Sequence, residues 1–171
     1  MSVALARRDL FRGRIAPAQK AHGLRPPTAI PETRFTDLCD GCAACAPACP
    51  ETVIRLDADR RPVLRFEHGE CTFCGACADV CRPGALAREG IRPWTAVATI
   101  SGKCLAVGGV HCRTCGDACP HSALKFAPRV DGRWLPAVLD ETCTGCGACV
   151  AGCPVDAVSV VERPGPRGVT T

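Results

Sequence analysis

The chain has 171 residues, which is enough for one ordinary domain or two very small ones. It contains 16 cysteines but only 4% aromatic residues and no tyrosine, so large side chains cannot build much of a core and cysteine-based staples must help. No apolar run approaches the roughly 18 residues that a membrane span requires, and the basic-and-aromatic pattern of single-strand nucleic-acid binders is absent. We therefore expect a soluble, cysteine-rich protein.

The formal charge of +4 is concentrated at the N-terminus. Residues 1–34 hold seven Lys or Arg and two Asp or Glu, which leaves residues 35–171 with a net charge of −1. A basic arm ahead of an acidic body favours docking to proteins rather than to nucleic acids. The pair Arg7–Arg8 has the look of a twin-arginine export motif, but the polar sequence after it lacks an apolar core and a cleavage site, so we expect an exposed arm.

The body of the chain is a four-fold repeat of cysteine blocks. The spacing C-x2-C-x2-C-x3-C-P is that of 4Fe–4S ligation in bacterial ferredoxins. Block two delays its proline to Pro83, and block three has seven residues between its first two cysteines. The blocks are Cys39, Cys42, Cys45 and Cys49; Cys71, Cys74, Cys77 and Cys81; Cys104, Cys112, Cys115 and Cys119; and Cys143, Cys146, Cys149 and Cys153.

Spacing between the blocks predicts two modules. Cys39 and Cys71 are 32 residues apart, and Cys112 and Cys143 are 31 apart, so the blocks act in pairs. We predict an α+β fold of tandem bacterial 2[4Fe–4S] ferredoxin-like modules, with short β-hairpins, short helices and few regular elements. Its parts are the arm (1–34), a first module (35–88), a connector (89–103), a second module (104–162) and a disordered tail (163–171).

Each module should contain a β-hairpin between its two blocks. Residues 52–56 and 62–66 form the first, and residues 124–126 and 134–139 form the second around the turn dipeptide Asp131–Gly132. Residues 157–161 read as a further strand, and a short helical turn should follow each third cysteine.

Disulfides, zinc and iron–sulfur clusters are the three interpretations of so many cysteines. Disulfides need an oxidising compartment, and nothing in the sequence convincingly exports the chain. Zinc sites usually draw on two separated C-x2-C pairs, whereas a third cysteine three residues on and a fourth before proline suit a cubane cluster. The pattern therefore favours iron–sulfur clusters, and zinc stays as the alternative.

The ferredoxin rule that the fourth cysteine of a block serves the neighbouring cluster assigns the ligands. The last of the four predicted sites is the weakest, because its loop is longer, and we expect it to be labile or in a 3Fe–4S form. The sites are Cys39, Cys42, Cys45 and Cys81; Cys71, Cys74, Cys77 and Cys49; Cys143, Cys146, Cys149 and Cys119; and Cys112, Cys115 and Cys153 with Cys104.

Other side chains offer less. His111 and His121 lie beside block-three cysteines, where they could contact sulfur, although exposed loop histidines are commoner. The aromatic residues Phe66, Phe73, Trp94 and Trp134 are expected to pack over clusters. No phosphate loop, Ser-His-Asp set or carboxylate pair is visible, so we predict an electron-transferring protein that is not an enzyme.

Features beyond cysteine spacing make the chain resemble the NapF family, ferredoxin-type accessory proteins of periplasmic nitrate reductase systems. The similarity covers nearly the whole chain. It includes Arg7–Arg8, Gly13–Arg14, Leu24-Arg25-Pro26-Pro27, Cys71-Thr-Phe-Cys74-Gly-Ala-Cys77, Trp94, Ile100, Cys104-Leu-Ala106, Cys112-Arg-x-Cys115, Asp117, Phe126-x-Pro128 and Cys143-x-Gly-Cys146-Gly-Ala-Cys149.

The resemblance implies a cytoplasmic iron–sulfur protein that contacts the catalytic subunit of the nitrate reductase, NapA, before that subunit is exported. Its implied role is maturation, through electron supply or through formation of the 4Fe–4S centre of NapA. It also implies that Arg7–Arg8 does not lead to export. A general electron-transfer module, serving some anaerobic oxidoreductase, is the alternative.

Overall fold

The helices and strands are short. The structure, a computed structural model, describes residues 23–88 and 94–163; the Arg7–Arg8 motif and the predicted tail after residue 163 lie outside these ranges. No helix within them is long and apolar enough to cross a membrane. The elements are α1 (Glu32–Leu38), β1 (Ile54–Leu56), β2 (Pro62–Leu64), α2 (Ala76–Asp79), β3 (Ala96–Ile100), α3 (Thr114–Asp117), β4 (Leu124–Pro128), β5 (Trp134–Val138), α4 (Ala148–Ala151) and β6 (Val158–Glu162).

Both predicted hairpins are confirmed. In the first, β1 pairs antiparallel with β2 and Ile54 lies opposite Leu64. In the second, β4 pairs antiparallel with β5 and Leu124 lies opposite Val138. Gly132 takes the left-handed conformation that the turn needs, with φ of +80°, and its amide donates to the Arg129 carbonyl at 2.9 Å.

A third sheet involves the segment that the sequence assigned to the connector. Strand β3, which lies within residues 89–103, pairs antiparallel with β6 over its whole length, from Ala96 opposite Glu162 to Ile100 opposite Val158. Its first three residues are buried. The part of the connector around β3 therefore packs with the second module, because β6 finds its hydrogen-bonding partner there.

The helical turns contain the third cysteine of a block rather than following it. Helices α2, α3 and α4 include Cys77, Cys115 and Cys149 respectively, and residues 44–48 of block one form turns instead of a helix. Helices α2 and α4 each begin after a glycine in the left-handed conformation, Gly75 and Gly147. The chain reverses at these glycines, so the helical turn starts one residue before the third cysteine rather than after it.

Part of the predicted arm also packs against the first module. The amide of Ile30 donates to the Ala85 carbonyl at 3.2 Å, and Ala29 forms an isolated bridge with Leu86. The guanidinium of Arg25 is 2% exposed and pairs with Glu32 and Asp57, each at 3.0 Å. Because these partners come from α1 and from the hairpin turn, Arg25 ties the segment before residue 34 to the first module.

Candidate iron–sulfur sites

Three cavities are each lined by four cysteines. The first cavity is lined by Cys39, Cys42, Cys45 and Cys81. The second is lined by Cys49, Cys71, Cys74 and Cys77. The third is lined by Cys119, Cys143, Cys146 and Cys149. Each set combines three thiols of one block with the last thiol of the paired block, which is the grouping that the crossed assignment predicts, while coordination by these thiols stays a prediction.

The three cavities are alike in size and in wall chemistry. Counting the part that is open to solvent, they comprise about 340, 380 and 300 Å³ of space that no protein atom occupies. Apart from the cysteines, much of each wall is apolar, with residues such as Leu86, Ile54 and Leu124. Because each cavity presents four thiols in a space of similar size, all three suit the same kind of bound group.

The fourth predicted site is arranged differently. Cys104 and Cys112 are half-buried, and they lie near enough to Cys115 for their charges to add to the burial that raises the pKa of Cys115. Cys153 packs against the core cluster that includes Cys115. Cys112 also lies on the wall of an open groove, lined among others by Val110, Arg113 and Trp134, which we call the block-three groove.

A shared backbone shape forms the loops of the three cavities. In each loop the second and fourth residues after the first cysteine have positive φ: Gly41 and Ala43, Phe73 and Gly75, Gly145 and Gly147. Such turns make a concave backbone whose amide groups suit an anionic group. These residues flank the second cysteine of each loop, and in block three the residues that flank the second cysteine, His111 and Arg113, are not among the described residues with positive φ. The displaced first cysteine, Cys104, thus comes with a different loop.

A second shared feature follows the last cysteine of every block. The third residue after it has positive φ in all four blocks: Thr52 (+52°), Gly84 (+75°), Ser122 (+50°) and Asp156 (+50°). The reversal brings a backbone amide back onto the cysteine sulfur in three of them. These amides are Leu86 to Cys81 at 3.3 Å, Ala123 to Cys119 at 3.3 Å and Ala157 to Cys153 at 3.2 Å.

Two further sulfur contacts come from residues outside the cysteine blocks. The amide of Ala98, on β3, donates to Cys143 Sγ at 3.4 Å. The hydroxyl of Thr28 lies 3.3 Å from Cys77 Sγ. Hydrogen bonds to sulfur favour the thiolate form and are among the factors that set cluster potentials. The sequence analysis missed these contacts, because no local pattern places residues 28 and 98 beside cysteines so distant in sequence.

The chemistry of the thiols fits a bound cluster. Burial, together with the charges of neighbouring cysteines, raises the pKa of Cys45 and of Cys71 to about 11 and that of Cys149 to about 12. Grouped thiolates this buried need a positive partner, which iron supplies when a cluster binds. In the described ranges no three Cys, His or carboxylate side chains converge closely enough to hold a single ion; the thiols instead lie around the cavity walls.

The aromatic residues and histidines that the sequence placed near clusters lie in different parts of the structure: in cavity walls, in the core and in the block-three groove. Phe73 lines the second cavity and His121 the third. Phe66 is buried in the core of the first module. Trp134 and His111 line the block-three groove instead.

The ligand loops of the two modules touch each other. The amide of Cys71 donates to the carbonyl of Cys146 at 2.7 Å. The indole N–H of Trp94 donates to the Thr144 carbonyl at 2.7 Å, and its ring meets Phe73 edge-on with centroids 6.3 Å apart. The second and third cavities, which belong to different modules, are therefore neighbours.

Comparisons with known proteins agree with this site. A family model described as a 4Fe-4S dicluster domain matches residues 38–85 and 110–168. The chain is 36% identical over 159 residues to the ferredoxin-type protein NapF of Escherichia coli strain K12, covering 93% of this chain and 96% of that protein. It is 38% identical over 165 residues to NapF of Haemophilus influenzae, covering 91% and 93%.

The chain also matches a ferredoxin-type protein with a different name, but it covers a smaller share of that protein than of the NapF proteins. The methylamine utilization ferredoxin-type protein MauM of Paracoccus denitrificans is 34% identical over 170 residues, covering 88% of this chain and 76% of that protein. The full-length matches confirm the resemblance that the sequence motifs indicated. The chain belongs to the NapF family of ferredoxin-type iron–sulfur proteins, which carry electrons and are not enzymes.

Proposed function

We propose that this protein acts in the cytoplasm on the catalytic subunit of a periplasmic nitrate reductase, NapA, before that subunit is exported. Its role there is maturation, by supplying electrons or by helping the 4Fe–4S centre of NapA to form. The observation that carries the proposal is the similarity to two NapF proteins over more than 90% of both chains. The accessory role and the partner are those that the family resemblance implies.

The arrangement of the cysteines supports this role. Three cavities with four thiols each suit 4Fe–4S clusters, and a bound cluster accepts or donates one electron at a time. The protein's own contribution is to group the thiols, to direct amides of Leu86, Ala98 and Ala123 at sulfur, and to keep the cavity walls apolar. We propose up to four clusters, the site with Cys104, Cys112, Cys115 and Cys153 being the least stable.

The test is a pull-down under reducing, anaerobic conditions. Tagged NapA precursor, with its export signal uncleaved, should retain this protein from a mixture of purified components. An unrelated twin-arginine precursor with the same tag is the control and should retain none. Equal retention by both precursors, or by neither, would contradict a role in NapA maturation.

A general electron-transfer role is the second candidate. The contact between Cys71 and Cys146 favours it, because it places sites of the two modules side by side, as a relay between two protein partners requires. The two roles differ in stoichiometry. A nitrate reductase that turns over only while equimolar amounts of this protein are present would favour the relay, whereas a reductase that stays active after the protein is removed favours maturation.

A further inference from the structure

Exposed apolar side chains are concentrated beside the block-three groove. Eight large hydrophobic residues are exposed in the described part of the chain, and four of them are Val107 (37%), Val110 (53%), Val130 (112%) and Trp134 (47%). Two lie on the loop between Cys104 and Cys112, and two on the β4–β5 hairpin. We call these four residues the block-three face. Such clustering is typical of an interaction site, whereas single exposed apolar residues are not.

The block-three face is held in shape by hydrogen bonds. Arg133, beside the hairpin turn, donates to the Val107 carbonyl at 2.7 Å and pairs with Asp131 at 2.6 Å. Within the loop, the amide of Val110 donates to the Leu105 carbonyl at 2.9 Å. The hairpin tip and the loop are therefore fixed against each other, so a partner binding here meets a preformed surface and orders little of the chain.

The charge around the face is positive. Arg113 lines the groove and stacks on the Phe126 ring, with its guanidinium carbon 5.5 Å from the ring centre. Arg129 is exposed in the hairpin turn, while the carboxylate of Asp131 is already paired with Arg133. A second copy of this chain would bring these like charges together, which disfavours self-association through this face. A partner face rich in carboxylates would complement it.

The position of the groove links this face to the predicted redox chemistry. Cys112, a predicted ligand of the fourth site, lies on the groove wall together with His111 and Trp134. A protein seated on the face would therefore lie against that site. The other cavities lead to this end of the molecule, because the second and third adjoin through Cys71 and Cys146, and the third shares its cysteine blocks with the fourth site.

We propose that the block-three face is the docking surface for the electron-exchanging partner of this protein, through a partner surface of carboxylates around an apolar centre. The proposal rests on the proposed function, whose NapA precursor serves as the probe. Trp134 is the central apolar contact, and Arg113 and Arg129 provide the electrostatic complement.

The experiment measures binding of purified NapA precursor to immobilised protein under anaerobic conditions at low and high salt. Trp134→Ala should raise the Kd roughly tenfold or more, as the loss of an aromatic anchor does. Arg129→Glu should raise it about tenfold at low salt and reduce the salt dependence of binding. The matched controls are Val161→Ala, an exposed apolar residue on β6, and Arg55→Glu, an exposed charge on β1; both should bind like wild type.

The outcomes separate the two proposals. Equal iron and sulfide content in all variants shows that each is folded and loaded. If wild type binds and the Trp134 and Arg129 variants bind equally well, or the controls lose as much affinity, the docking surface is wrong and the proposed function stands. If wild type does not bind NapA precursor at all, both fall. A dimer in sedimentation that Trp134→Ala dissolves would place a second copy on the face and overturn the proposal.

Discussion

The third residue after each final cysteine has the same backbone conformation in four different residue types. Thr52, Ser122 and Asp156 hold φ near +50°, where side chains with a Cβ are disfavoured by about 1 kcal/mol or more, and Gly84 holds +75° without that cost. The conformation turns the following amides back onto the sulfurs of Cys81, Cys119 and Cys153. Strain of this kind persists where the surrounding structure imposes it, and here it accompanies a hydrogen bond to a predicted ligand.

Gly84 allows this backbone strain to be measured alone. An added Cβ at Gly84 would meet no atom within 4 Å, so Gly84→Ala tests only the positive φ. We expect a loss of about 1 kcal/mol, which lowers the apparent midpoint of thermal unfolding by about 2–4 °C. The measurement is circular dichroism of the anaerobically purified protein at a fixed scan rate.

Gly102 is the control for this substitution. It is equally open to a Cβ but does not have positive φ, so Gly102→Ala should leave the midpoint unchanged or raise it slightly. Equal shifts for the two variants would show that the left-handed conformation at residue 84 carries no strain.

At the scale of the elements, two glycines of the Cys143 loop make close contacts, one with β3 and one with the first module. Strand β3 packs against the Cys143 loop, where a Cβ on Gly145 would lie 2.4 Å from the Ala96 carbonyl. The Phe66 ring of the first module lies where a Cβ on Gly147 would be, at 2.2 Å. Each glycine thus admits another part of the protein into space that a Cβ would occupy.

Gly147→Ala should loosen the contact between the modules. Its Cβ would overlap the Phe66 ring, and overpacking of this kind typically costs about 1–3 kcal/mol. The Cys71 amide, which donates to the Cys146 carbonyl across the contact, should exchange its hydrogen about tenfold faster or more. Hydrogen exchange with mass spectrometry of the peptide containing Cys71 measures this change.

Gly132→Ala is the matched control for backbone strain. Gly132 has φ of +80°, close to the +88° of Gly147, but a Cβ there meets no atom within 4 Å. It should leave exchange at Cys71 unchanged. If both variants accelerate exchange at Cys71 alike, or neither does while iron content is retained, the Phe66 contact does not hold the modules together.

The two hairpins and the grouping of the cysteines could be predicted because their signals are local. Asp131–Gly132 marks a turn within ten residues, and the cysteine spacing repeats in every block. The pairing of β3 with β6 could not be predicted, because the paired residues lie about 60 residues apart in the sequence. Neither strand has a local sequence signal that identifies its partner strand. The positive φ of Thr52 and Ser122 was also hidden, since these residue types rarely take it.

At the scale of the whole molecule, the four predicted cluster sites follow one another in a row, and the sites at the two ends of the row differ. The first and second cavities share cysteine blocks one and two, and the second touches the third through the Cys71–Cys146 hydrogen bond. The third shares blocks three and four with the fourth site. The Cys39 site thus stands at one end and the block-three site at the other. Among the residues that the structure describes, the block-three end alone has both the altered loop and the apolar, positively charged face.

Iron content and its loss test this difference between the sites. Protein purified without oxygen should contain about sixteen irons with matching sulfide if all four clusters are present, and stoichiometric zinc with little sulfide would contradict the iron–sulfur assignment. On slow exposure to air or a chelator, about four irons should leave first, because Cys112 borders an open groove and its two neighbours lack the left-handed conformation that flanks the second cysteine of the other three loops.

Two serine variants identify the site that empties first. Cys112→Ser should start near twelve irons and lack the fast phase of iron loss, because it removes only the labile site. Cys146→Ser, which alters the third cavity, should also start near twelve irons but keep the fast phase. The time course of iron release, followed by visible absorbance and by electron paramagnetic resonance after reduction, distinguishes them. A fast phase that survives in Cys112→Ser and disappears in Cys146→Ser would place the weakest cluster in the third cavity, and the open groove would then have no bearing on cluster stability.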